Sequence, residues 1–265
     1  MHKKEFNGIP IRYEDSGEGF PVVMLHGYLE SLNIWDDFAC KLSEKYRVIT
    51  IDIPGHGESG VIGEVHSMDK MAEMLNKVLD ELGIKKCVLI GHSMGGYVTL
   101  AFLEHHPEKL AGFSLFHSKP QADSEEAANN RERQIHLIDE GKKEAVYNSG
   151  VPVRFADDNL QSLSDEVAYA KKMAFDMPDE GVKALLRGMK ERPDREKLLE
   201  KTNLPFLFIL GKKDNLIPYP DILDDTALPA NTQIEVLENS GHMGFIEEPK
   251  ESLQIISNFV DSVKE

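Results

Sequence analysis

Only two of the 265 residues are cysteine, Cys40 and Cys87. Two thiols without paired spacing give neither a disulfide framework nor a zinc site. Cys87, at the head of an apolar run, reads as a small buried hydrophobe. Long apolar stretches are missing as well. No run approaches the roughly 20 apolar residues of a membrane span. The basic N-terminus MHKKEFNGIP has no apolar segment behind it and does not read as a signal peptide. A cytoplasmic location is the expectation. Basic residues are outnumbered, 30 Lys and Arg against 46 Asp and Glu, for a net charge of −16. That balance repels a phosphate backbone and an anionic bilayer, so neither nucleic acid nor membrane is expected as a partner. Internal repeats and low-complexity tracts are absent too.

What is present is the composition of a globular domain, 41% hydrophobic and 29% charged. Asn7-Gly8 is a hairpin turn signal with Ile9, Ile11 and Tyr13 alternating behind it. FPVVMLHG and YRVITIDIPGHG are short apolar runs closing on glycine, the look of strands buried on both faces. Trp35, Phe38 and Leu42 share one helical face, and Met71, Met74, Leu75, Val78, Leu79 and Leu82 form a stripe over a helix at 67–82, closed by Gly83. KCVLIGHS, a helix from about Met94 to His105, and the strand LAGFSLFHS follow. LPFLFILG and TQIEVLE are two later strands, and Leu253, Ile256, Phe259, Val260 and Val263 line a final helix. Strands alternating with helices predict an α/β fold with a mostly parallel central sheet. Residues 118–203 break the rhythm, being charged, helical and without a convincing strand. They are expected to form a helical cap inserted into a core made of residues 1–117 and 204–265. Phe155, Met173, Phe175, Met177, Leu185 and Leu186 are expected to pack the cap onto the sheet, a few of them roofing a pocket.

Gly91-His92-Ser93-Met94-Gly95 leaves one of these strands and enters a helix. That is the context of a nucleophile elbow, a turn so tight that residues two places from the serine must lack side chains. The helix beneath offers free N–H groups to a developing oxyanion. A serine nucleophile needs a base, and the base an orienting carboxylate, in the order Ser, acid, His. Asp214 lies just past one late strand and His242 just past the next, at the same carboxyl edge as Ser93. The candidate catalytic residues are therefore Ser93, Asp214 and His242. Met94 N–H and, from the early loop HGYLES, Tyr28 N–H are the candidate oxyanion-hole donors. Other residues fit less well. His92 adjoins Ser93 and should point elsewhere. His117 reads as a partly buried loop histidine, Asp123 as a weak rival acid, and Asp52 as a loop anchor.

LHG, DIPGHGES, GHSMGG, GKKDNLIP and SGHMGF run in this order along nearly the whole chain. On them the sequence resembles the α/β-hydrolase fold superfamily in its capped, single-domain branch. Asp52, Pro54, Gly55, Gly57 and Ser59 match the family's DxPGxGxS segment. The resemblance implies a serine hydrolase of small carboxylic esters, thioesters or lactones, with no metal or organic cofactor and a small molecule as partner. Members with aspartate at the elbow, the haloalkane dehalogenases and epoxide hydrolases, are disfavoured by Ser93. Carbon–carbon bond hydrolases resemble HGxGPG where this chain has HGYLES. Cofactor-free perhydrolases and hydrolase-like receptors share the triad and stay open as alternatives. Oligomeric state is not legible.

Overall fold

A computed structural model describes residues 2–6 and 8–264. Asn7, half of the expected hairpin turn, lies outside them; Gly8 beside it stands at φ 80°. The hairpin joins β1 (His2–Phe6) to β2 (Ile9–Ser16), with Phe6 opposite Ile9. β1 has no apolar run and is exposed along most of its length. It sits at the edge of the sheet, where lysines discourage further pairing.

The remaining strands are β3 (Pro21–Leu25), β4 (Arg47–Ile51), β5 (Cys87–His92), β6 (Leu110–Phe116), β7 (Phe206–Gly211) and β8 (Thr232–Leu237). Among the described residues they form one sheet with β1 and β2, in the order β1-β2-β4-β3-β5-β6-β7-β8. From β4 to β8 neighbouring strands are parallel, so β3, β5, β6, β7 and β8 all end at one edge. β5 and β7 are buried at every position, which explains why they read as unbroken apolar runs rather than alternating ones.

Two helix pairs cover these faces. α2 (Met68–Glu81) packs with α3 (Met94–His105), and α1 (Asp36–Leu42) with the last helix, Pro249–Val263. Ser67 caps α2, its hydroxyl accepting from Lys70 N–H. Trp35 lies in a short 3₁₀ turn ahead of α1, yet it shares the buried face with Phe38 and Leu42 as the spacing implies. No helix among the described residues is long and apolar enough to cross a membrane.

Between β6 and β7 the described chain is helical: α4 (Glu125–Asp139), α5 (Lys143–Gly150), α6 (Ser164–Asp176), α7 (Asp179–Lys190) and α8 (Glu196–Lys201). This segment touches the loops at the carboxyl edge of the sheet. Ser31 N–H and Gly57 N–H donate to the sulfurs of Met173 and Met177 at 3.1 and 3.2 Å. His66 N–H donates to Ala184 C=O. A Cβ on Gly181 would lie 2.1 Å from Gly55 O, so α7 and the DIPGHG loop meet backbone to backbone. Phe155, Met173, Met177, Leu185 and Leu186 are buried and Phe175 is half-buried.

Candidate active site

Ser93 lies between β5 and α3 with φ 50° and ψ −115°. That conformation is costly for a side-chain-bearing residue and is held by its surroundings. Ser93 N–H donates to Phe116 C=O at 3.0 Å, and Ser118 Oγ donates to Ser93 C=O at 2.7 Å. The flanking glycines are steric necessities. A Cβ on Gly91 would lie 2.4 Å from Gly95 O, and one on Gly95 would lie 2.6 Å from Leu25 O. Ser93 is partly exposed while His92 and Met94 are buried, so the turn presents the serine alone.

Asp214 follows β7 and is almost fully buried. Its Oδ1 accepts from Leu216 and Ile217 N–H at 2.8 and 2.9 Å, and its Oδ2 lies 2.7 Å from His242 Nδ1. Burial alone would raise this carboxyl. The His242 ring, His117 and the Ile217 N–H outweigh it and hold it at about 2. With an ionised carboxylate as its partner, His242 Nδ1 is the donor, which leaves Nε2 as the basic nitrogen. His242 itself follows β8, and its ring is 5.1 Å from that of His92. The structure thus brings Asp214 and His242 into contact, beside the residue that precedes Ser93. No hydrogen bond joins Ser93 Oγ to His242 among the described residues. Such bonds are often loose without substrate and tighten around it.

The early loop is tightly tied. Gly27 N–H donates to Glu30 Oε2 at 2.7 Å, Leu29 N–H to His56 Nε2 at 3.0 Å, and Ser31 N–H to Met173. Leu29 is forced to φ 60°. His26 donates from Nδ1 to Gly27 C=O and accepts from Ile53 N–H at Nε2, and burial pushes it and His56 below the ordinary histidine range. Among the described residues neither Tyr28 N–H nor Met94 N–H is engaged, which leaves both candidate oxyanion donors free. The Tyr28 hydroxyl donates to Gln134 of α4 at 3.3 Å.

His117 departs from the sequence expectation. It is wholly buried rather than partly so, at φ 48° beneath the acid–histidine pair. Its Nε2 accepts from Gly244 N–H at 3.1 Å, so its proton sits on Nδ1, 3.7 Å from Asp214 Oδ2. Burial pushes it well below the ordinary range, and Asp214 only partly offsets that. Asp123 is committed elsewhere, to Arg131 and Arg192. Asp52 anchors loops, accepting from Leu32 and Glu58 N–H at 2.7 and 2.8 Å. His92 turns away from the serine, with Nδ1 3.0 Å from Glu30 Oε2 and Nε2 2.8 Å from the His242 carbonyl oxygen. Sequence reasoning missed Glu30, Ser118 and Arg154, all polar and buried. Glu30 lay within the HGYLES loop already singled out, but nothing in the spacing says that its carboxylate turns inward.

One cluster has ligand-like composition, Asp69, Glu104 and His105 on α2 and α3. Arg195 already bridges it, donating to Asp69 at 2.6 Å and to Glu104 at 2.9 Å.

The sheet order, the elbow and the acid–histidine pair define a class. Residues 21–249 match the alpha/beta hydrolase fold family model, and the chain belongs to that family. Among individual proteins, a solved thermophilic esterase from Thermogutta terrifontis (malate bound) is 30% identical, with a TM-score of 0.94 over 99% of this chain and 97% of that one. The pimeloyl-[acyl-carrier protein] methyl ester esterase of Aeromonas hydrophila is 28% identical over 94% of this chain and 99% of its own. The dihydrolipoyllysine-residue acetyltransferase component of the acetoin cleaving system of Pseudomonas putida is 32% identical over 91% of this chain. The chain spans only 64% of that relative's length.

Proposed function

We propose that the protein is a serine hydrolase of small carboxylic esters, thioesters or lactones, working through an acyl-enzyme. The observation that carries this is the Asp214–His242 pair, 2.7 Å apart at the carboxyl edge that also bears the strained Ser93. Esterases at 28% and 30% identity along nearly the full chain support it.

Ser93 Oγ attacks the substrate carbonyl as His242 Nε2 takes its proton, and Asp214 holds the ring in the tautomer that makes Nε2 the base. The carbonyl oxygen becomes an oxyanion facing the Tyr28 and Met94 N–H groups and the N-terminus of α3. Collapse expels the alcohol or thiol, which takes the proton from His242. Water, deprotonated by the same nitrogen, then attacks the Ser93 ester, and as the acid leaves, Ser93 Oγ takes the proton back from His242. Residues 118–203 act as a cap over a core of residues 1–117 and 204–265, and the cap limits acyl length.

Ser93→Ala removes one oxygen and leaves the fold intact. Turnover of p-nitrophenyl acetate should fall by several orders of magnitude, about 10⁶-fold where the same change was made in a protease triad. A fluorophosphonate probe should label the wild type and not the variant. Equal labelling of both would remove Ser93 as the nucleophile. Tight ester binding without turnover in the wild type would favour a receptor.

A further inference from the structure

Glu30 has 1% of its surface exposed, and the reaction above does not use it. Its carboxylate meets three groups. Oε2 accepts from Gly27 N–H at 2.7 Å and lies 3.0 Å from His92 Nδ1, and Oε1 lies 3.3 Å from Arg154 Nη1. Both routes away from it end on one residue. His92 Nε2 is 2.8 Å from the carbonyl oxygen of His242, and the Arg154 carbonyl accepts from His242 N–H at 2.6 Å. The N–H and C=O of the candidate base are therefore each held through a residue that touches Glu30. The same carboxylate holds the loop that carries Tyr28.

The His92 ring lies between two acceptors. A carboxylate and a carbonyl accept and do not donate, while a neutral imidazole has only one N–H. A neutral ring would turn a lone pair toward an oxygen at hydrogen-bond distance in a buried setting, an arrangement that costs as much as an unmade buried bond. The proton cannot come from Glu30, whose oxygens face an N–H, the ring and a guanidinium. The Arg154 guanidinium and Gly27 N–H, both aimed at its oxygens, favour the ionised carboxylate. Also facing His92 are the His242 ring at 5.1 Å, the His117 ring at 6.2 Å and the uncharged rings of Trp35, Phe116 and Phe245.

We propose that Glu30 and His92 are a positioning pair beneath the active site, with His92 held doubly protonated between the Glu30 carboxylate and the His242 carbonyl so that it fixes the backbone of the base. The positioning role rests on the hydrolase reading above; the protonation of His92 does not. A misplacement of about 1 Å at a reacting group costs on the order of 10²-fold in rate, which is the error this pair prevents.

The test has two arms. In wild-type protein labelled with ¹⁵N-histidine, the His92 ring should show two protonated nitrogens at neutral pH. A single protonated nitrogen overturns the proposal, whatever the activity. In Glu30→Gln the carboxylate charge is gone and His92 should fall back to one ring proton. With p-nitrophenyl acetate, kcat should drop roughly 10–100-fold while KM stays within about threefold. A Glu30→Gln enzyme with wild-type kcat overturns the positioning role. If that variant does not fold, the wild-type spectrum still decides. Fluorophosphonate labelling of wild-type Ser93 keeps the two ideas apart, because its absence sinks the hydrolase reading and leaves the spectroscopic result standing.

Discussion

Replacing Asp214 by asparagine tests the candidate triad at its most specific point. Oδ1 accepts two backbone N–H groups, from Leu216 and Ile217, so the amide oxygen of an asparagine must take that place. The amide NH₂ is then left where Oδ2 now stands, 2.7 Å from His242 Nδ1. Two donors cannot share that position. The ring must release its Nδ1 proton and carry it on Nε2, where it can no longer accept one from Ser93. In a serine protease the same exchange costs about 10⁴ in kcat, equivalent to roughly 5 kcal/mol of transition-state stabilisation. The folded state should survive. The carboxyl is held at about 2 against an ordinary 3.8, and losing that interaction at neutral pH costs on the order of 2 kcal/mol. The expected outcome is a folded protein, with near-wild-type circular dichroism, whose kcat/KM for p-nitrophenyl acetate is down by three to four orders of magnitude, about the protease loss. Retention of more than about a tenth of wild-type activity would refute the tautomer argument. A larger loss in Asp123→Asn would move the acid elsewhere, although Asp123 is committed to Arg131 and Arg192.

Gly181→Ala would place a Cβ 2.1 Å from Gly55 O, a backbone atom that cannot swing aside. It should cost about 1–3 kcal/mol and lower Tm by at least about 2 °C, and an unchanged melt would mean that α7 does not rest on this contact. Acid should begin to destabilise the fold through its buried histidines. Burial lowers His66 from 6.5 to about 4 and pushes His56 and His117 down as well, so the folded state favours their neutral forms. Their stabilisation is complete above 6.5 and is lost as pH falls toward the folded values, so Tm should drop between pH 6.5 and about 4; a flat profile there would contradict it. Among the described residues the exposed large apolar side chains are Val153, Tyr169, Leu216 and Ile234, which come from four separate segments and give no single helix an apolar stripe for lipid. The rate should therefore saturate smoothly as substrate passes its solubility limit, and a jump when droplets form would indicate a lipase.

Much of the frame was legible because burial on both faces leaves a local signature. Cys87–His92 and Phe206–Gly211 are apolar at nearly every position, and the change to helical periodicity at Met94 marks the start of α3. β1 left no pattern of its own for the opposite reason: HKKEF is an edge strand exposed at all but Phe6, its pairing with β2 is made by backbone groups, and only the turn signal at Asn7-Gly8 pointed to it. The Asp214–His242 contact could be anticipated because parallel strands deliver both residues to one edge. The buried ring of groups behind it could not. His92 was read only as turning away from Ser93, and nothing singled out Arg154 within a charged segment. Their meeting at Glu30 joins residues 62 and 124 positions apart, and no local pattern encodes it. His117 misled because a histidine at a strand end is usually wet; here Gly244 closes over it.

Strands β6 and β7 are hydrogen-bonded neighbours, with Phe113 opposite Phe206, yet about ninety residues part them along the chain. The entropy of closing such a loop grows only with the logarithm of its length, so doubling it adds about 0.6 kcal/mol. Lengthening, trimming or exchanging the helices inside it therefore leaves the cost of zipping β7 onto β6 almost unchanged. The loops at the strand ends carry the candidate catalytic groups, while the helices between β6 and β7 touch the loops at that same edge. A lineage can renew the second without renegotiating the first, and the two can diverge at different speeds.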